Sequence, residues 1–162
     1  VRNFMMDGYD RNANLPKAGF AAGPCLLKDT IQLSHFVKNK FPMGIESLKI
    51  NEGLPLYLIQ NLKKNNQLKN KKIGILGLTF KSNVDDIRDS LSFKLIKILK
   101  KHMIKVLVSD EFYKHPDCIS KKELIKKSDV IILAVPHKSY RGIKIPKNKI
   151  VIDTWGMTKI KY

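Results

Sequence analysis

The stretch KKIGILGLTFKSNVDDIRDS, residues 71–90, decides the fold class of this chain. Residues 73–78 form a continuous apolar run without alternation, which is typical of a strand buried on both faces. A turn containing Gly77 and a charged loop follow this run. We therefore predict a strand of a parallel sheet with a ligand-facing loop directly after it.

The chain beyond residue 90 repeats this pattern. We predict helices over residues 92–101 and 121–127, and strands over residues 105–109, 130–135 and 150–152. Continuous apolar strands separated by helices indicate an α/β fold with a doubly wound, Rossmann-like parallel sheet. Ligands bind beyond the carboxyl ends of the strands in such sheets, so we expect the site in the loops that follow them.

The amino-terminal part has a helical pattern. Apolar residues recur at helical spacing directly after Cys25, and again over residues 44–66, where Pro55 is expected to kink or interrupt the helix. Residues 63–72, rich in Lys and Asn, are interpreted as a polar linker. We predict two domains, a helical segment over residues 1–68 that carries the Cys25 loop and a ligand-binding domain over residues 69–162, and we expect an apolar subunit contact on the helix over residues 44–66.

The composition limits the classes of function. The chain has 162 residues and a formal net charge of +17, and 27 of its 31 basic residues are lysines. Because these lysines are spread along the whole chain, we interpret them mainly as a solvated surface, although the charge also suits a phosphate-bearing ligand. Nucleic-acid binding is the weakest hypothesis, since no recognition-helix or aromatic-basic pattern accompanies the charge.

Cysteine and histidine usage also narrows the possibilities. Cys25 and Cys118 lie far apart, and no spacing is typical of a zinc site or a disulfide framework. The longest apolar runs, such as residues 130–136, are too short to cross a bilayer. We therefore expect free thiols, no bound metal, no membrane contact and a cytoplasmic location.

The loop after residue 78 concentrates charge at the expected site. It holds Lys81, Asp85, Asp86, Arg88 and Asp89 within nine residues. A merely solvated loop explains these charges, but Lys81 and Arg88 as clamps for phosphate or carboxylate explain their placement equally well. The turn has Gly-x-x-Gly spacing, which is not the full dinucleotide-binding fingerprint.

Cys25 has the surroundings of a reactive thiol. Small residues precede it, an apolar helical pattern follows it, and Lys28 lies one turn away. A helix amino terminus and a nearby cation both favour the thiolate, which is the nucleophilic form. Asp29, also one turn away, is suited to hold or activate a water molecule. The alternative is an ordinary buried cysteine beside a glycine-rich turn.

Two blocks of sequence carry a family resemblance. GFAAGPCLLKDT, residues 19–30, resembles the active-site signature of the UDP-glucose/GDP-mannose dehydrogenase family, and ILGLTFKSNVDDIRDS, residues 75–90, resembles its second signature. They occur in the family's order and are joined by a helix containing INEGLP. The resemblance covers essentially all of the chain but less than half of a family member. Because the chain also opens with Val1 and a stretch typical of an interior loop, we expect a fragment.

The resemblance implies an activity. Members oxidise the C6 alcohol of a nucleotide sugar to a carboxylate with two NAD, through a cysteine thiohemiacetal and a thioester. On the matching positions Cys25 is the expected nucleophile and Asp29 the residue that helps to activate water, while Lys28 and Arg88 lie near NAD. The expected contacts to the nucleotide sugar come from Arg11, Pro16, Gly19, Phe20, Gly23, Phe80 and Lys81, with Arg11 reaching into the site of a neighbouring subunit.

Some family features are absent from this sequence. It lacks the NAD-binding Rossmann domain, so we expect a separate amino-terminal domain or polypeptide as partner, together with a homodimer. Trp155 stands where many members have an arginine that contacts the substrate, and it is suited either to stack on a base or to cap the core. UDP-glucose is the first expected substrate. The alternative is a non-catalytic module that binds a UDP-sugar or mediates dimerisation.

Overall fold

The computed structural model describes residues 2–8, 11 and 18–158. In these ranges the helices are α1 (Arg2–Met6), α2 (Pro24–Phe36), α3 (Pro42–Lys64), α4 (Leu91–Lys101) and α5 (Lys121–Lys127). The strands are β1 (Ile73–Leu76), β2 (Val106–Ser109), β3 (Val130–Leu133) and β4 (Ile150–Asp153). The α1 helix lies where the sequence predicts a loop.

The four strands form one parallel sheet in the order β2-β1-β3-β4, which confirms the predicted fold class. Ile73 of β1 pairs with Val106 on one side and with Val130 on the other. Val130 in turn pairs with Ile150 of β4. This register brings the carboxyl ends of all four strands to the same edge of the sheet.

Helices cover both faces of the sheet, which explains the continuous apolar runs. On one face, Ile73 and Ile75 pack with Ile59 and Leu62 of α3 and with core residues of α4. On the other face, Leu76 packs in a cluster that includes residues of α5, β3 and β4. Every residue of β1 and of β3 is buried as a result.

Two strands end earlier than the apolar runs predict. β1 stops at Leu76 because Gly77 adopts φ +96°, a left-handed value that leaves the extended strand conformation. β3 stops at Leu133, and Val135 then packs against Gly77. The apolar runs continue past both strands because Leu78 and Val135 remain buried in the turns.

The long helix α3 runs through Pro55 without interruption, so of the two expected effects of Pro55, a kink or an interruption, the interruption is wrong. Pro55 is buried, and Ile59 and Leu62, one and two turns later, pack into the core of the sheet. This packing holds the carboxyl-terminal half of the helix where the missing proline N–H weakens it. Leu68, inside the predicted linker, is also buried in that core.

We predict that Gly77→Ala strongly destabilises the fold. A Cβ at this position would lie 2.4 Å from Val135 Cβ and 2.9 Å from the Val135 backbone nitrogen, and the residue has φ +96°. Left-handed strain and this overlap together should lower the free energy of unfolding by about 2–4 kcal/mol, measured by urea denaturation. Gly53→Ala is the matched control, because none of the described residues lies within 4 Å of that Cβ position in α3. It should raise stability by up to about 1 kcal/mol, and equal effects of the two variants would contradict the prediction.

Candidate functional site

A cavity of about 260 Å³ opens at the carboxyl edge of the sheet, where the sequence predicts the site. Its walls come from three places: the segment before α2, the loop after β1, and the turns after β3 and β4. The lining residues are Phe20, Ala21, Ala22, Phe80, Lys81, Ser82, Pro136 and Trp155. Three of the predicted substrate residues, Phe20, Phe80 and Lys81, therefore lie around one cavity.

Two glycines allow the segment before α2 to lie directly on aromatic rings. Gly23 is buried with φ +122°, and a Cβ there would lie 2.9 Å from the Phe80 ring. A Cβ at Gly19 would lie 2.3 Å from the Trp155 indole. The Asn51 side chain of α3 donates a hydrogen bond of 2.6 Å to the Ala21 carbonyl and fixes the segment between these contacts.

Cys25 is the second residue of α2 and is exposed. The prediction that it sits at a helix amino terminus is confirmed, and the alternative of a buried cysteine is wrong. Lys28 Nζ lies 3.3 Å from Asp29 Oδ1, and both side chains are exposed. The carboxylate predicted to handle water thus has a cationic neighbour on the same helix.

Arg88 reaches the neighbourhood of Cys25 from the loop after β1. Its guanidinium is held by Asp86 through Nε at 2.9 Å and a terminal nitrogen at 2.6 Å. The hydrogen bond and charge of Asp86 raise the pKa of Arg88, and Cys25 and Asp89 make smaller electrostatic contributions in the same direction. The same hydrogen bond lowers the pKa of Asp86. The loop therefore places a fixed positive charge within electrostatic reach of the candidate nucleophile.

The structure adds a buried polar cluster that sequence reasoning missed. Asp110 follows β2, His137 follows β3, and both side chains are fully buried. His137 Nε2 lies 3.1 Å from Asp110 Oδ2, and the backbone N–H of Asn83 donates to His137 Nδ1 at 2.9 Å. The only sequence signal for this pair was the position of each residue just beyond a strand.

The Asp110 carboxylate is surrounded by donors. It accepts hydrogen bonds from the backbone N–H groups of Leu78 at 2.6 Å, Phe112 at 2.7 Å and Tyr113 at 3.0 Å. Burial alone raises the pKa of Asp110, but the hydrogen bonds from His137 and from these backbone groups outweigh it and hold the pKa below its usual range. Asp110 is therefore an anion that three segments of the chain stabilise together.

Trp155 both closes the core and lines the cavity. Its indole nitrogen donates a hydrogen bond of 2.9 Å to the Ala134 carbonyl, and its ring packs against the main core. The backbone N–H of Trp155 donates to Asp153 Oδ1 at 3.0 Å. The core-capping alternative is thus observed, and stacking on a base stays a prediction.

The remaining predicted residues lie outside the cavity. Four of them are exposed and do not line the cavity: Cys25, Lys28, Asp29 and Arg88. Arg11 is exposed, and Pro16 falls in residues 12–17, outside the described residues. Within the described ranges, no group of three or more His, Cys, Asp or Glu residues is arranged to hold a metal ion. Among the described helices, none is long and apolar enough to cross a membrane.

Known proteins similar to this chain come from one family of dehydrogenases. A model of the UDP-glucose/GDP-mannose dehydrogenase family, UDP binding domain, matches residues 74–160, more than half of the chain. "Protein CapL" of Staphylococcus aureus is 32% identical over 161 residues, covering 90% of this chain and 38% of that protein. UDP-N-acetyl-D-mannosamine dehydrogenase of Pyrococcus horikoshii is 28% identical over 148 residues, covering 85% of this chain and 35% of that protein.

A solved structure has the same fold over nearly the whole chain. It is a UDP-glucose dehydrogenase from Pyrobaculum islandicum, with a TM-score of 0.83 and 25% sequence identity. The match covers 98% of this chain and 40% of that one. The chain thus spans two fifths or less of each of these three relatives.

We predict that Asp110→Asn destabilises the protein in a pH-dependent way. At neutral pH the amide accepts fewer of the surrounding N–H groups, so the free energy of unfolding should fall by about 3 kcal/mol. Because the folded-state pKa of Asp110 lies below its unfolded value of about 3.9, its contribution is present above that pH and is lost as pH falls through the folded-state pKa. Urea denaturation from neutral to acid pH should show the difference between wild type and variant shrinking below about pH 4.

The exposed Asp117 provides the control. Asp117→Asn should change the free energy of unfolding by less than about 0.5 kcal/mol, since its side chain is 69% exposed. A difference between wild type and Asp110→Asn that stays constant across the acid range would contradict the role of the ionised carboxylate.

Proposed function

This chain belongs to the UDP-glucose/GDP-mannose dehydrogenase family, and we propose that it is the carboxyl-terminal part of an NAD-dependent nucleotide-sugar 6-dehydrogenase acting on UDP-glucose. The observation that carries the proposal is the meeting of two motifs at one sheet edge. The segment that leads to Cys25 lies on Phe80, at the start of the loop that carries Lys81 and Arg88. In such sheets this edge is where ligands bind.

The cavity has the chemistry for a nucleotide. Phe80 and Trp155 offer aromatic surfaces on which a base can stack, and Lys81 offers an exposed positive charge for a pyrophosphate. Its volume of about 260 Å³ suits part of a nucleotide sugar rather than the whole. We propose that the nucleotide occupies the cavity and that the sugar extends past Gly23 toward Cys25.

Cys25 is the proposed nucleophile. Two NAD molecules, held mainly by a domain outside this chain, would supply the oxidising capacity, one for removal of a hydride from the C6 alcohol and one for removal of a hydride from the thiohemiacetal. The Cys25 sulfur adds to the C6 aldehyde to form that thiohemiacetal, and its oxidation gives a thioester. Water then attacks the thioester carbonyl, releasing the carboxylate and regenerating the thiol, with Asp29 placed to orient or deprotonate the water.

The cations near Cys25 fit this chemistry. Lys28 and Arg88 are exposed, and Lys28 lies one helical turn after Cys25 on α2. In the proposal these two cations stabilise negative charge that develops on the reacting sulfur and lie beside the bound NAD. Two free cysteines among the described residues suit a reducing compartment, and we propose the cytoplasm.

A homodimer forms part of the same proposal. The helical segment exposes large apolar side chains on α2 and α3, among them Phe36, Met43, Ile50 and Tyr57. Exposed apolar surface of this kind is typical of a subunit contact. Arg11, also exposed, is the residue proposed to reach a neighbouring site.

A second candidate function is binding without turnover. It is favoured by the cavity lining, which includes Phe80, Lys81 and Trp155 but not Cys25. A chain of this kind would bind UDP or a UDP-sugar through the cavity, and Cys25 would have no catalytic role. The two functions share the binding step and differ only in the role of the cysteine.

We predict that the chain binds UDP and that Lys81→Ala weakens binding about tenfold, because the ammonium faces the pyrophosphate. Isothermal titration calorimetry with UDP measures the dissociation constant. Lys122→Ala is the matched control, since Lys122 is an exposed lysine on α5. It should leave the affinity within about twofold of wild type, and equal losses in both variants would contradict a specific role for Lys81.

We predict that NADH forms when the chain is joined to, or mixed with, a dinucleotide-binding amino-terminal domain and given UDP-glucose. UDP-N-acetyl-D-mannosamine and GDP-mannose should be compared in the same assay, because proteins similar to this chain are named as dehydrogenases of these two nucleotide sugars. Cys25→Ser should abolish formation of the carboxylate, and Cys118→Ser should retain it as the matched thiol control. A Cys25→Ser variant as active as the parent would overturn the mechanism.

A further inference from the structure

The buried pair of Asp110 and His137 contacts the loop that carries the proposed substrate residues. Asp110 Oδ2 accepts from Leu78 N–H at 2.6 Å, directly before that loop, and His137 Nδ1 accepts from Asn83 N–H at 2.9 Å, within it. The Asn83 side chain returns the contact, because its Oδ1 accepts from Lys138 N–H at 3.0 Å. The loop is therefore held at both ends by the turns that follow β2 and β3.

The hydrogen bonds define the state of the imidazole. A backbone N–H can only donate, so His137 Nδ1 must be the unprotonated acceptor for Asn83. The proton of the neutral ring is then on Nε2, which donates to the Asp110 carboxylate. Only this tautomer satisfies both contacts, so donation runs from the Asn83 backbone N–H to His137 and from His137 to the Asp110 carboxylate.

The His137 ring has no contact with solvent. His137 is fully buried, stacks on Phe112 with ring centres 4.8 Å apart, and meets the edge of Tyr140 at 5.1 Å. It does not line the cavity, whereas Pro136 beside it does. His137 therefore cannot touch a ligand in the cavity and acts on it through the loop.

Phe80 and Lys81 lie between the two anchored points. The loop adds its own bonds there, since Phe80 N–H donates to the Asp86 carbonyl at 2.9 Å and the Thr79 hydroxyl donates to the Lys81 carbonyl at 2.8 Å. These internal bonds shape the loop but do not attach it to the sheet. Asp110, His137 and the bond between Asn83 Oδ1 and Lys138 N–H, which we call the Asn83 clasp, attach the loop to the turns after β2 and β3. The Ser90 hydroxyl at the start of α4 adds a bond of 3.3 Å to the Thr79 carbonyl.

We propose that His137 and Asp110 are positioning residues for nucleotide binding, which hold the loop of residues 78–83 so that Phe80 and Lys81 face the cavity. The inference rests on the proposed function of that cavity. It adds residues that make no contact with the ligand and that neither sequence motif contains. A pre-positioned loop binds more tightly because less conformational freedom is lost on binding.

The test uses two substitutions at His137 with opposite chemistry. His137→Phe keeps an aromatic ring against Phe112 and Tyr140 but removes both hydrogen bonds. His137→Asn removes the ring but places an amide oxygen where Nδ1 accepts from Asn83. If the acceptor matters, His137→Phe should bind UDP about tenfold more weakly than wild type, and His137→Asn should stay within about threefold.

Amide hydrogen exchange provides a readout that packing alone would not move. The Asn83 amide should exchange much faster in His137→Phe and close to the wild-type rate in His137→Asn. Amides in the centre of β3 should exchange equally in all three proteins. Unchanged exchange at Asn83 in His137→Phe, or unchanged UDP affinity, would overturn the inference.

A substitution on the exposed side of the clasp covers the case in which the His137 variants do not fold. Asn83→Gly keeps the backbone N–H and suits the local φ of +58°, but it removes the acceptor for Lys138. It should weaken UDP binding about threefold. Asn70→Gly, at φ +56° and outside the loop, is the matched control and should leave binding unchanged. Equal affinity of the two glycine variants would contradict the clasp.

The outcomes separate the inference from the proposed function. If the unaltered chain binds no UDP, the proposed function fails and the inference fails with it. If the chain binds UDP and Lys81→Ala weakens binding while His137→Phe does not, the site is correct and only the positioning role is wrong. Losses in both variants, with rapid exchange at Asn83 in His137→Phe alone, support both.

Discussion

One buried carboxylate organises the functional edge of this molecule. Asp110 accepts hydrogen bonds from the turn after β1, from its own turn after β2, and from His137 after β3. In a parallel sheet the carboxyl ends of the strands lie at one edge, but strand pairing does not fix the positions of the following loops relative to each other. An anion without solvent must be surrounded by donors, and here the donors come from three different turns. The loop that carries Lys81 is therefore fixed at Leu78, whose backbone N–H donates to this buried carboxylate.

The fold was largely predictable because it depends on local patterns. Uninterrupted apolar runs predicted all four strands, and helix α5 has the predicted bounds. The errors have physical causes that no local pattern shows. β1 ends early because Gly77 turns away against Val135, a residue brought there by strand pairing. The α3 helix continues through Pro55 because tertiary packing of its second half outweighs one missing hydrogen bond.

The site was predictable only in part. The two motifs identified Phe80 and Lys81 as neighbours of a ligand space, and the structure does place them around one cavity. Asp110 and His137 are 27 residues apart in sequence, and their contact depends on the register of three strands. A local sequence motif therefore does not predict it. The contact between Gly19 and Trp155 is equally long-range. The resemblance implies a contact of Gly19 with the nucleotide sugar, which stays a prediction, and in the structure this glycine packs against the Trp155 indole.

The contact of Gly19 with Trp155 also shows that the segment before α2 is part of the structure around the cavity. The family match begins at residue 74, yet Phe20, Ala21 and Ala22 form one wall of the cavity. A recombinant domain trimmed to the matched residues would lose that wall, and it would also lose α3, whose Ile59 and Leu62 pack into the core of the sheet. The residues matched by the family model and the residues that line the cavity therefore do not coincide. The complete cavity therefore requires the segment before α2 as well as the residues that the family model matches.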